Sequence, residues 1–240
     1  QAMEAFIHNL NTMHSRAGAQ VPFSSVNFGT DISPEGRMVI KNYLLATDAG
    51  LGRGETPIFP ISIFKVKEGI NYNKEDPSYD LFRLACRVSA KRLFPNFSFL
   101  DSSFNKKFLV EGDYTTEVGY MGCRTRVLAN VCGPSVTPGR GNLSFTSINL
   151  PRIGINHGIC LGERDKADMK GFYEELDELM ELVKDQLLER YDIQCNKRVY
   201  NFPFLMGQGN WIDSSKLKPN DKLRKVLKHG TLSVGFIGLA

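Results

Sequence analysis

The chain has 240 residues, a length that fits one large domain or two small ones. Hydrophobic residues make up 42% of the chain and charged residues 23%, which is ordinary for a globular protein that buries a core. The net charge of +4 is small and opposite charges are interspersed, which argues against a nucleic-acid-binding surface. No apolar run is long enough to span a bilayer and no signal peptide opens the chain, so we expect a cytoplasmic protein with no membrane partner.

The first hundred residues alternate between helix-like and strand-like patterns. Apolar residues at helical spacing and helix-start signals such as Ser33-Pro34 predict three helices. We expect these helices at residues 3–14, from Pro34 to about Leu51, and from Asp76 to before Pro95. Mostly apolar runs predict strands at residues 21–28, 58–66 and 97–100. This alternation predicts an α/β fold with parallel strands joined by right-handed crossovers.

The second half of the chain is less regular. Residues 102–142 are polar and rich in glycine. The strand-like run that follows them is expected to end at Pro151. The predicted elements are short strands near 117–121 and 126–131, a strand at 143–149, a long helix at 165–191 and a last strand at 231–237. The chain stops directly after this strand without a polar tail, which is typical of a segment cut from a larger protein.

The cysteines and histidines predict no metal site. The five cysteines are an odd number, are widely spaced and form no Cys-x-x-Cys pair. The four histidines are scattered, and no pair of them has the i, i+4 spacing of a metal site on a helix. We therefore interpret the histidines as structural.

The stretch around Cys123 is the best candidate for chemistry. Gly122 permits a tight turn and a close approach by a ligand. Arg124 and Arg126 follow the thiol, and nearby positive charge lowers the pKa of a cysteine. The alternative interpretation is a structural cysteine in a loop.

Two other polar groups are candidate ligands. Ser24, Ser25 and Asn27 interrupt an apolar strand, so they either satisfy neighbouring backbone groups or face a ligand at the carboxyl end of the strand. Asn142 follows Gly141 and precedes a strand, where it either caps a turn or presents its amide to a substrate hydroxyl.

Several long runs in one order resemble the anaerobic (class III) ribonucleoside-triphosphate reductases. The runs are residues 21–31, 54–60, 120–126, 139–146, 148–152 and 230–238, and the similarity extends over essentially the whole chain. The resemblance implies that residues 1–240 are the central part of a single catalytic barrel domain. This domain is a ten-stranded α/β barrel made of two parallel halves, threaded by a finger loop that carries the catalytic cysteine.

The resemblance also implies roles for individual residues. Cys123 is the thiyl-radical cysteine, and Asn142 matches the asparagine that positions the substrate ribose, although Asn149 lies nearby. Ser24, Ser25, Asn27 and Gly122 are the expected substrate-binding residues at the barrel mouth.

The family's chemistry implies partners that lie outside these residues. The implied activity is reduction of ribonucleoside triphosphates by a thiyl radical, which is generated from a glycyl radical in an absent C-terminal region. Zinc is expected in that same region, ATP and deoxynucleoside triphosphates are expected as effectors, and formate or a thioredoxin-type system is the expected reductant. A homodimer and a radical S-adenosylmethionine activating enzyme are the expected protein partners. The segment alone is expected to be inactive.

Two other functions stay open at this stage. One is a glycyl-radical enzyme related to formate acetyltransferases, although Gly122-Cys123-Arg124 differs from the Cys-Cys or Gly-Cys-x-Glu pattern of that branch. The other is a non-catalytic nucleotide-binding barrel that lost the radical. A glycyl-radical motif downstream of this segment would favour an enzyme, because a scaffold has no need of it.

Overall fold

A computed structural model describes residues 1–15, 17–122, 125–159 and 167–238. The chain forms two compact units. The first unit comprises residues 1–130 and 134–137, and the second comprises residues 131–133 and 138–240. No helix in the described ranges is long and apolar enough to cross a membrane.

The first unit contains a parallel sheet, its connecting helices and a hairpin. Its elements are α1 (Ala2–Thr12), β1 (Ser25–Phe28), α2 (Pro34–Ala49), β2 (Ile61–Val66), α3 (Tyr79–Arg92), β3 (Asn96–Phe99), α4 (Ser103–Lys106), β4 (Gly119–Met121) and β5 (Thr125–Val127). The sheet has the order β1-β2-β3, and both of its pairings are parallel. The predicted alternation of strands and helices is therefore confirmed over the first hundred residues. Strands β4 and β5 pair antiparallel.

The helices of the first unit form where the sequence signals them. The Ser33 side chain accepts a hydrogen bond from the Gly36 backbone N–H at 3.0 Å, which caps the start of α2. At the other end of α2, the buried Arg92 side chain donates to the backbone carbonyls of Asp48, Ala49 and Gly54. Apolar residues of α2, β2 and α3 then form the main core, which contains Ile40, Leu44, Phe64, Val66, Leu81, Ala85 and Val88.

The second unit is built on two parallel strands and a long helix. Its elements are β6 (Asn142–Asn149), α5 (Leu150–Asn156), α6 (Met169–Cys195), α7 (Arg224–Leu227) and β7 (Thr231–Ile237). Strands β6 and β7 pair in parallel. Trp211 is buried beside α7 and its indole N–H donates to the Val226 carbonyl at 2.9 Å, so its polar group is satisfied inside the core.

Some boundaries differ from the prediction for identifiable reasons. Pro151 does not simply end β6: it lies in the first turn of α5, where a proline needs no backbone N–H, and Asn149 caps that turn by accepting from the Arg152 N–H at 3.1 Å. Strand β2 begins at Ile61 rather than residue 58, because the N–H groups of Ile58 and Phe59 bind the Asn11 side chain instead of a neighbouring strand.

The strands form three separate sheets of three, two and two strands, and the described residues contain no closed barrel. The mixed α/β class with parallel sheets is confirmed. The ten-stranded barrel with its finger loop remains a proposal.

Candidate functional site

The candidate site is the hairpin of β4 and β5, because residues 122–124 join these strands. Cys123 and Arg124 lie outside the described residues. Gly122 has φ +64°, a left-handed conformation that favours glycine. A Cβ atom at this position would lie 2.9 Å from a carbon of the Phe23 ring. The positive φ of the residue before Cys123 therefore favours glycine, and a larger residue would also require the exposed Phe23 ring to shift.

Strand β1 holds this hairpin through two side chains. The Asn27 side-chain N–H donates to the Tyr120 carbonyl at 2.8 Å, and the Asn27 side-chain oxygen accepts from the Tyr120 N–H, also at 2.8 Å. The Ser25 hydroxyl oxygen accepts from the Gly122 N–H at 3.1 Å. Ser25 and Asn27 thus bind backbone groups of the hairpin, and their substrate-binding role stays a prediction.

The alternation of β1 explains this arrangement. Side chains of a strand point alternately to its two faces, so Ser25 and Asn27 share one face and Val26 and Phe28 share the other. Phe28 packs against Tyr43 of α2 with ring centroids 5.0 Å apart. The helices therefore cover one face of β1, and the hairpin lies on the polar face.

A buried ion pair lies beyond the carboxyl end of β1. Lys65 of β2 donates to Glu117 at 2.9 Å, and the two side chains are only 12% and 7% exposed. The Thr30 hydroxyl also donates to the same Glu117 carboxylate oxygen, at 3.4 Å. Glu117 precedes β4, so this contact holds the start of the hairpin segment to the central strand of the sheet.

Ser24 differs from the other two polar residues near β1. Its hydroxyl donates to the Pro22 carbonyl, at 3.4 Å, while its backbone carbonyl accepts from the Ile61 N–H at 2.9 Å. Ser24 is partly buried, and its side chain makes no hydrogen bond to the hairpin among the described residues.

Asn142 and Asn149 lie at opposite ends of β6 in the second unit. Asn142 is partly buried, accepts from the Thr231 hydroxyl at 3.4 Å and lines a cavity of about 200 Å³ with residues such as Gln194 and Trp211. Asn149 is exposed, and its side-chain oxygen is used by the cap of α5. The Asn149 side chain therefore binds nearby backbone, whereas the Asn142 side chain binds another side chain.

Comparison with known proteins identifies the family. A family model described as anaerobic ribonucleoside-triphosphate reductase matches residues 1–240. The chain belongs to this family. It is similar to the anaerobic ribonucleoside-triphosphate reductases of enterobacteria phage T4 (33% identity), Escherichia coli K12 (30%) and Haemophilus influenzae (30%), each over 99% of this chain. It covers 38% of the phage protein and 32% of each bacterial protein, so it spans about a third of the length of these curated relatives.

Sequence reasoning missed two residues that hold the reductase hairpin. Neither Lys65 nor Glu117 was predicted as a site residue, although Lys65 is the single charge in the mostly apolar strand Ile61–Val66. A lysine in a strand that is buried on both faces needs a charged partner, because an isolated buried ammonium is costly. That signal predicts a carboxylate nearby, but it does not say which of the chain's many carboxylates is the partner.

Proposed function

We propose that the full-length protein reduces ribonucleoside triphosphates to 2′-deoxyribonucleoside triphosphates for DNA synthesis, with Cys123 as the radical-carrying residue. The observation that carries the proposal is the match of the whole chain to the reductase family. The hairpin that contains Cys123 supports it, because Gly122 has a backbone conformation that favours glycine and Ser25 and Asn27 bind the residues before Cys123. A hairpin held in this way suits a thiyl radical that must be delivered to one substrate atom. None of the described contacts favours a formate acetyltransferase relative or a non-catalytic barrel.

The proposed chemistry explains why a cysteine is needed. Replacing the ribose 2′-hydroxyl by hydrogen is difficult by ionic routes. A thiyl radical on Cys123 abstracts the 3′-hydrogen and becomes a thiol, since S–H and activated C–H bonds have comparable strengths. The 2′-hydroxyl then takes up a proton and leaves as water. Formate or a thioredoxin-type system supplies the reducing electrons. The Asn142 amide orients a substrate hydroxyl or the reductant, and exclusion of water protects the radical.

The remaining parts of the proposal concern the full-length protein. We propose that residues 1–240 contribute to a single ten-stranded barrel domain and that the hairpin is part of its finger loop. The glycyl radical and a zinc site are assigned to other parts of the protein. In the described ranges no cluster of three His, Cys, Asp or Glu residues could hold a metal. A radical S-adenosylmethionine activating enzyme, ATP and deoxynucleotide effectors, a homodimer and a cytoplasmic location complete the proposal.

Substitution of Cys123 tests this function directly. The full-length protein and its Cys123→Ser variant are activated anaerobically, and the glycyl-radical EPR signal and deoxynucleotide formation are measured. We expect the variant to keep the radical signal and to form no deoxynucleotide. A variant that still reduces nucleotide would contradict the role of Cys123, and an activated wild type that forms no deoxynucleotide would contradict the reductase function.

A further inference from the structure

The contacts between β1 and the hairpin follow one continuous antiparallel register. Ser25 meets Gly122, and Asn27 meets Tyr120, so two steps forward along β1 correspond to two steps back along the hairpin. Three further steps forward lead to Thr30, and three further steps back lead to Glu117, which Thr30 contacts. The three contacts therefore align the two segments as if they were paired strands.

Side chains, rather than the backbone of β1, make this alignment. In the described part of the chain, β1 pairs with β2 and β4 pairs with β5, and no backbone ladder joins β1 to β4. The Asn27 amide supplies one donor and one acceptor to a single residue of β4, as a backbone strand would. The hairpin thus has a defined position along β1, although its strands do not pair with the three-stranded sheet.

A slip of the hairpin would break all of these contacts together. A shift by one residue would place the Asn27 amide opposite Met121 or Gly119, where the hydrogen-bonding groups of an extended strand point the other way. The same shift would draw Glu117 away from Lys65 and leave a buried ammonium without its partner. The register is therefore specified more strongly than one hydrogen bond could specify it.

We propose that Ser25 and Asn27 are positioning residues for the radical reaction. Their side chains set the position along β1 of the chain segment that leads into Cys123. This inference rests on the proposed function. Gly122, the last residue of that segment before Cys123, is itself bonded to Ser25. Hydrogen abstraction requires the reacting atoms at near contact, and a misplacement of about 1 Å costs on the order of 100-fold in rate. Ser25 and Asn27 act through the hairpin backbone rather than by touching the reacting atoms.

The Asn27→Asp variant separates positioning from stability. It keeps the size of the side chain and one acceptor oxygen, but it places a second oxygen against the Tyr120 carbonyl. Asn11→Asp is a matched control, because the Asn11 amide likewise accepts from the Phe59 N–H and donates to the Phe59 carbonyl, in a segment outside the hairpin. The same chemical change is therefore made at two backbone-bridging amides of one unit.

The full-length protein, activated anaerobically, is assayed for glycyl radical by EPR and for deoxynucleotide formed per radical. We expect Asn27→Asp to keep its radical content and to lose about 10- to 100-fold in turnover per radical. Asn11→Asp should lower thermal stability comparably and leave turnover per radical unchanged. Ser25→Ala should also lose turnover, and Ser25→Thr, which retains the hydroxyl, should restore it to within about threefold, because a threonine suits a strand.

Three results would overturn the inference, and they differ from failure of the proposed function. Unchanged turnover per radical in Asn27→Asp would do so, as would an equal loss in Asn11→Asp. Unaltered hydrogen exchange at residues 119–122 in Asn27→Asp would refute the register itself, whatever the activity. A wild type that carries the radical but forms no deoxynucleotide would instead contradict the reductase function on which the inference rests.

Discussion

Loss of the Glu117 carboxylate should destabilise the hairpin more than loss of its hydrogen bond to Ser25 or to Asn27. In Glu117→Ala, the Lys65 ammonium, whose side chain is 12% exposed beside Glu117, would lose its anionic partner and gain only the space that the carboxylate vacates. At 2.9 Å and an effective dielectric constant of about 20, the attraction within the pair is roughly 6 kcal/mol before desolvation is subtracted. Breaking a buried pair by removing one partner costs about 3–5 kcal/mol, and we expect the low end because water retains some access to Lys65.

Hydrogen exchange is the appropriate assay, because a protein with two compact units is not expected to unfold in one two-state step. A local loss of about 3 kcal/mol corresponds to exchange faster by roughly 100-fold in peptides that cover β2 and residues 117–121. Glu111→Ala is the control: Glu111 also pairs with a lysine of this unit, Lys67, but it is 83% exposed and should change exchange by less than about threefold.

The double variant Lys65→Met/Glu117→Leu tests the cause. Replacing both charges by apolar groups of similar size should restore exchange nearly to the wild-type rate, because neither a buried charge nor its desolvation cost remains. If Glu117→Ala changes exchange no more than Glu111→Ala, the argument from burial is wrong. If the double variant is as labile as the single one, the loss does not come from an unpaired ammonium.

Three further outcomes are expected. Burial raises the pKa of Tyr191 to about 12, with Cys195 acting in the same direction, so one tyrosinate absorbance step near pH 12 should disappear in Tyr191→Phe. Because the pKa of Tyr191 in the folded protein exceeds the unfolded value of about 10, the stability contributed by the neutral Tyr191 side chain is complete below pH 10. It is lost as the pH rises through about 12. Gly122→Ala should destabilise the hairpin by about 1–2 kcal/mol, measured by hydrogen exchange. Adding Phe23→Ala to this variant should remove the clash with the phenyl ring but not the cost of the positive φ. Arg92→Lys should lower the local stability around the end of α2 by about 2 kcal/mol, since an ammonium cannot reach all the carbonyls that the guanidinium binds; unchanged hydrogen exchange in peptides that cover α2 and α3 would refute this.

Local signals in the sequence were sufficient for most of the first unit. Ser33 and Pro34 mark the start of α2 through backbone chemistry that needs no distant partner, and the mostly apolar run ending at Val66 marks a buried strand. The sheet order follows from helical crossovers that join successive strands as neighbours. These elements were predictable because each depends on residues close together in the chain.

The contacts that hold the candidate site depend on residues far apart in the chain. Asn27 binds Tyr120 and Lys65 binds Glu117, and no periodicity in one segment indicates its partner in the other. A polar residue in a strand therefore predicts a partner without identifying it. The substrate-binding roles of Ser24, Ser25 and Asn27 stay predictions, but Ser25 and Asn27 already use polar groups to hold the hairpin.

The cap that Arg92 forms on α2 has a practical consequence for protein engineering. Its guanidinium fixes the carbonyls of Asp48 and Gly54, and an isolated bridge between Leu51 and Glu55 closes the loop between them. Both stems of the loop are held, while Gly52 and Arg53 at its tip are exposed. Because closing a loop costs little more when it is lengthened, this tip is a suitable place to insert a short tag or a spectroscopic label.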